Sequence, residues 1–346
     1  MRSAAWLVSA FLLAGCIEWS EILIDKPPAD WSKGHWQVVV AKPDVSLRGL
    51  SVVGSRIVWV AGSGGTLLRS TDGGASFREV APPDARQCDF RDVHAFDADT
   101  AVAMVAGQPA RLYRTADGGR SWAIVHADPR AEAFFDALAF EGDIGFLLGD
   151  PLDGAFTVLR SDDRGITWRV MPGPHAVAGE AAFAASGTCL DVGPDGVRFV
   201  TGGAVSRCLT SRDGGATWTA VDLPLASGKP SMGAFGLAGN GQDLVAVGGD
   251  YSDPAASAGT ASRSFDGGKS FWPVQAPGAR GYRSAAAFLS PDEVLAVGER
   301  GASISADRGK SWAPFGDLGF HAVVAGAGAV FACGAGGRVA RLWPGR

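Results

Sequence analysis

One octet recurs six times in this chain and limits its fold more than any other feature. Its first copy runs Ser70, Thr71, Asp72, Gly73, Gly74, Ala75, Ser76, Phe77. The others centre on Asp117, Asp163, Asp213, Asp266 and Asp307. Each copy has Ser or Thr two residues before the Asp, Gly two after it, Ser or Thr four after it, and then Trp or Phe. The steps between successive aspartates are 45, 46, 50, 53 and 41 residues, which suits a repeated supersecondary unit. An Asp can accept backbone N–H groups within its own turn. The Gly supplies a left-handed conformation at low steric cost, and the terminal ring is expected to be buried between neighbouring units. The six aspartates are therefore read as structural, and they lack the spaced acidic ligands of a calcium loop.

Short apolar segments bounded by Gly or Asp precede each octet. In the first unit they are 50–54, 57–62 and 66–70. Four short strands per unit is the pattern of a propeller blade, and blades are expected over 46–80, 89–126, 133–171, 180–222, 232–275 and 283–315. A seventh unit supplies three strands, at 321–325, 329–334 and 338–343. Trp36 to Val40 matches the position that follows an octet, so it is expected to pair with 338–343 and close the ring, removing a free sheet edge. The fold class is all-β: a seven-bladed β-propeller over 35–346, with four-stranded antiparallel blades and N-terminal strand closure. The 49 scattered glycines fit many tight turns.

Residues 1–15 have the form of an export signal, with Arg2 before an apolar run from Ala4 to Leu13. Leu13, Ala14, Gly15 and Cys16 resemble a bacterial lipobox. That resemblance implies cleavage before Cys16, lipidation of Cys16, and a tether over 16–34. With Ile17 next, the expected location is the periplasmic face of the outer membrane in a Gram-negative host.

Acids outnumber bases by 36 to 31 without any Lys/Arg run, which argues against nucleic acid. Beyond Cys16 lie Cys88, Cys189, Cys208 and Cys333. Three pairings are open to these four, Cys189–Cys208 being the most local. None has zinc-site spacing, so no metal and no cofactor is expected.

The octet resembles the Asp-box, or BNR, repeat of sialidase-like propellers. The octets, the blade count, the lipobox, and the phrases Phe90-Arg91-Asp92-Val93 and Tyr282-Arg283-Ser284 are most similar to the photosystem II stability/assembly factor-like lipoproteins. This resemblance implies a non-catalytic scaffold that assists assembly of a membrane complex.

In such a blade the innermost strand starts, and the second strand ends, on the face opposite the octets. Innermost-strand starts supply Arg48, Arg91, Phe135, Met232, Tyr282, Arg283 and His321. Second-strand ends supply Asp150, Asp153, Asp250, Tyr251, Glu299 and Arg300. An insertion from Glu180 to Gly187 is expected on the same face. Arg48, Arg91 and Arg283 would suit an anionic group, since each guanidinium offers a planar fork. The bland alternative pairs them with Asp92, Asp136, Asp150 or Glu299. The expected partner is a protein or a small anionic ligand, bound by a monomer. The rival is a sialidase-type glycoside hydrolase with Tyr282 as nucleophile and Glu180 as its helper. It lacks the Arg-Ile-Pro motif that carries the first triad arginine in sialidases.

Overall fold

The computed structural model describes residues 30–274, 281–326 and 328–345. The signal, the lipobox, Cys16 and most of the tether lie outside them. Seven antiparallel sheets follow one another around the chain. Blade one is built from Leu47–Val53, Ile57–Gly62, Thr66–Ser70 and Arg78–Glu79. The same order of inner strand, two middle strands and a short outer strand repeats through the ring. Blade seven takes its outer strand from the amino end. Asp30–Val40 pairs with Arg338–Gly345, with Trp36 opposite Leu342 and Val40 opposite Arg338. This strand begins earlier than Trp36, and Trp31 is buried among Leu295, Phe320 and Leu342.

One sheet departs from four strands. The inner strand of blade four is Leu190–Gly193, not a segment starting at Glu180. Glu180–Ala181 instead pairs with Gly202–Gly203, which pairs with the inner strand of blade five, Lys229–Asn240. The insertion thus stitches two blades together at their inner ends.

The octets form one repeated corner. Ser70 Oγ donates to Asp72 Oδ1 at 2.7 Å and accepts the Gly74 N–H at 2.9 Å. Asp72 accepts the Ser76 N–H at 3.0 Å and the Ser76 hydroxyl at 2.5 Å. The other five copies repeat these four bonds. The Ser121 hydroxyl and amide hold the Asp117 carboxyl down to about 2. Five of the six corners also dock on their own first turn, as Gly73 N–H to Arg56 O at 2.9 Å shows. Two consecutive residues are left-handed, so even Arg164 and Arg308, which replace Gly after Asp, adopt positive φ.

The second glycine is required by close approach as well as by φ. A Cβ on Gly119 would meet Val80 Cβ of blade one at 2.5 Å, and one on Gly309 would meet Val245 Cγ2 of blade five at 2.8 Å. Guanidiniums complete the seams. Arg78, Arg114, Arg160 and Arg212 each donate to the carbonyl of the residue after the octet Asp in the next blade, namely Gly118, Arg164, Gly214 and Gly267. The aromatic plugs are less buried than expected. Trp312 is 4% exposed, while Phe77, Trp122, Trp168, Trp218 and Phe271 are half-buried along the seams. Trp122 and Trp218 cross to the preceding blade, donating to Val80 O at 2.7 Å and Pro172 O at 3.1 Å.

The Cys189–Cys208 pairing does not occur; all four described cysteines are buried free thiols. Val200 lies opposite Cys208, and its amide donates to Cys189 O. The two cysteines thus sit two strands apart, roughly 9–10 Å, beyond disulfide reach.

Trp312→Ala should cost about 3–5 kcal/mol in chemical denaturation, as expected for deleting a buried ring. Arg160→Ala should cost about 1–3 kcal/mol by removing a charge-assisted seam bond. A change within experimental error at both sites would contradict the packing described. Deleting residues 30–40 should abolish cooperative unfolding, read by circular dichroism.

Candidate functional site

The inner strands begin around one mouth, and in four of the seven blades an irregular pairing sets a residue near the strand start. In blade one Leu47 faces Gly62 and Gly49 faces Ala61, so Arg48 is an extra residue in its strand. Arg91 in blade two, Asp136 in blade three and Phe235 in blade five occupy the same kind of position. A bulge re-aims its side chain, and all four residues line one cavity. A small residue follows in blade one for a steric reason: a Cβ on Gly49 would sit 2.6 Å from Asp92 Cα of blade two.

The cavity measures about 410 Å³. Its charged lining is Arg48, Arg91, Asp136, Asp150 and Glu299, and its aromatic wall is Phe134, Phe183, Phe235, Tyr251 and Tyr282. Phe183 stacks on Phe235 at 3.9 Å, and Tyr282 meets Phe235 edge-on at 4.8 Å. The floor is the segment after Glu180–Ala181, which acts as a strap. Ala185 O accepts from Arg48 at 3.3 Å, Ala184 O from Arg91 at 2.9 Å, and Ser284 O of blade six from Ser186 Oγ at 2.8 Å. Asp150 Oδ1 accepts the Ala182 N–H at 3.2 Å. The strap therefore touches blades one, two, three and six.

The two arginines differ in their partners. Arg91 is paired with Asp89 at 2.7 Å, not with any of the four acids expected. Arg48 has no carboxylate within 4.0 Å among the described residues. Burial, then repulsion from Arg91, lowers its pKa. Asp136 is fully buried, and burial raises its carboxyl well above the usual range, reinforced by Asp150. Burial also raises Asp150, against the Ala182 amide.

Several expected site residues lie elsewhere. Arg283 is 2% exposed and absent from the mouth; it donates to Ser303 Oγ at 2.8 Å and Tyr282 O at 3.0 Å. Burial lowers it to about 10, leaving it cationic at neutral pH. Glu180 borders a side cleft, but its carboxylate is fully engaged. Oε1 accepts from Thr201 and Arg207 at 2.6 and 2.8 Å, and Oε2 from Arg207 and the Val177 amide at 2.5 and 2.8 Å. Asp250 closes a local turn with Ser252 at 2.6 Å. His321 lines a neighbouring cleft shared with Glu299, its Nδ1 3.3 Å from Ser46 Oγ. Burial first, then Arg48 and Arg91, pushes it down to about 3, so it is neutral. Tyr282 lines the mouth, and burial raises its hydroxyl. Among the described residues no cluster of His, Cys, Asp and Glu could hold a metal.

No family model matches the chain, and no curated protein does. Solved structures share the fold. A structure titled YCF48 bound to D1 peptide superposes with TM-score 0.65 at 17% identity, over 88% of this chain and 94% of that one. YCF48 from Cyanidioschyzon merolae gives 0.65 at 16% identity, over 88% and 98%. Virginiamycin B lyase from Staphylococcus aureus gives 0.67 at 14% identity, over 89% and 99%. A peptide binder and an enzyme share this ring, so the fold alone does not choose between binding and catalysis.

The Asp136 shift has a sign. The folded carboxyl holds a proton that the unfolded chain releases near pH 3.9, so its contribution is full below that pH and is lost as pH rises through the folded value. Asp136→Asn should therefore raise Tm relative to the parent at pH 8 and leave it nearly unchanged at pH 4. An equal difference at both values would contradict the assignment.

Proposed function

We propose that this chain is a non-catalytic binding propeller whose mouth takes a protein segment bearing an anionic group. One observation carries this reading: Arg48 is aimed at the axis by a bulge, has no ion-pair partner among the described residues, and rests on a main-chain carbonyl. An incoming carboxylate would exchange that contact for a charge-assisted, bidentate one. The aromatic wall supplies the apolar area on which a side chain could be anchored. The likeness to YCF48 bound to D1 peptide supports a peptide as the ligand.

The octets, the lipobox and the Phe90-Arg91-Asp92-Val93 phrase support a finer version. In it the chain is an assembly factor-like lipoprotein, anchored through Cys16 and facing the periplasm. The glycosidase rival loses its proposed helper, because every hydrogen bond at the Glu180 carboxylate is already taken by Arg207, Thr201 and Val177.

Capture from detergent-solubilised membranes onto the immobilised chain tests this function. Arg48→Ala and Arg91→Ala should reduce capture of the partner at least tenfold, with Tm shifts below about 3 °C. Arg283→Ala should instead lower stability, since it empties a buried site. Undiminished capture by both mouth variants would remove the arginines from the binding site. Turnover of a fluorogenic sialoside that is abolished by Tyr282→Phe would establish the enzyme.

A further inference from the structure

Charge is partly segregated around the mouth, Glu299 after the second strand of blade six being the one lining acid outside blade three. Arg48 and Arg91 stand on blades one and two, while Asp136 and Asp150 both stand on blade three. The arginines have backbone or local partners, as described above. Asp136 does not. It is fully buried, borders the cavity, and neither carboxyl oxygen has a hydrogen-bond partner among the described residues. The Ala184 amide lies near it but outside hydrogen-bond geometry. A buried carboxyl normally finds a donor, and leaving one unmade is costly. Nothing in the ring's construction needs an acid here: Ala137, the next residue, carries the register onward. Asp150, part-exposed at the second-strand end, brings a second carboxyl to the same side.

We propose that Asp136 and Asp150 form a subsite for a cationic nitrogen, so that the mouth selects a zwitterionic ligand with its carboxylate toward Arg48 and its ammonium or guanidinium toward blade three. This rests on the reading of the mouth as a binding site. Phe134 and Phe183 line the same cavity, and aromatic rings favour a cation over an anion. Arg91 opposes it, and is tempered by its pairing with Asp89. Burial favours the neutral form of this carboxyl, so a cation seated beside it draws the ionised form and the displaced proton passes to solvent.

The test uses three probes on the purified full chain: butyrate, butylammonium and 6-aminohexanoate. Isothermal titration at pH 6 and pH 8 should show 6-aminohexanoate binding at least tenfold tighter than butyrate. Its affinity should rise with pH, and paired buffers should report proton release. Asp136→Asn should erase the advantage of the ammonium while leaving butyrate binding intact, and Asp150→Asn should reduce it. Arg48→Ala should weaken butyrate. Equal binding of butyrate and 6-aminohexanoate would overturn the cation subsite and leave the arginine reading standing. Absence of binding by all three probes would overturn the subsite, while membrane capture would still judge the wider function.

Discussion

Six of the seven blades carry a tight octet corner, and at most of these the corner meets the preceding blade with no room for a side chain. The hydroxyl, carboxylate and amide bonds of the octet fold eight residues tightly enough for the second glycine to touch the neighbouring sheet. Val80, Val102 and Val245 fill the space where a Cβ would stand on Gly119, Gly165 and Gly309. Seam arginines then tie four of the six corner carbonyls to the blade before them. Blade seven, which has no octet, would end at three strands, and Asp30–Val40 supplies the fourth. The amino end is thus part of the ring, which any account of a membrane tether has to respect.

Rigid corners on one face leave the other free to vary. There four of the seven inner strands carry a bulge near their start, and a bulge trades regular pairing for a chosen side-chain direction. Arg48, Arg91, Asp136 and Phe235 all reach the axis through that device. The strap from Ala182 to Ser186 then spans the opening and converts a channel into a floored cavity, held by hydrogen bonds from Arg48, Arg91 and Ser186. The repeated corners and the proposed binding mouth thus lie on opposite faces.

The architecture was legible because its signals are local. An Asp with Gly two residues on and Ser or Thr four residues on closes a turn from its own atoms, and the Trp36–Val40 run reads as a strand lacking a unit. The mouth was only partly legible. Arg48 and Arg283 look alike in sequence, each beside an inner-strand start, yet one is a bulge residue facing the cavity and the other points into blade six. Asp136 and Phe235 were missed as cavity-lining residues, though the triplets Leu47-Arg48-Gly49 and Ala234-Phe235-Gly236 mark bulges by placing a small residue after the re-aimed one. Glu180 drew attention as a lone acid in an insertion. Its partner Arg207 lies 27 residues on, in a different strand, and no local pattern connects them. Cys189 and Cys208 were close in sequence but separated by a whole intervening strand.

The proposed partner sits on the bulge-bearing face and not on the octet face. A photo-crosslinking residue placed at Tyr251, which is 48% exposed at the mouth, tests it against the same residue at Arg120, exposed within an octet. On irradiation with solubilised membranes, adducts should form from position 251, be suppressed by Arg48→Ala, and be absent from position 120. Adducts from position 120 alone would contradict the account.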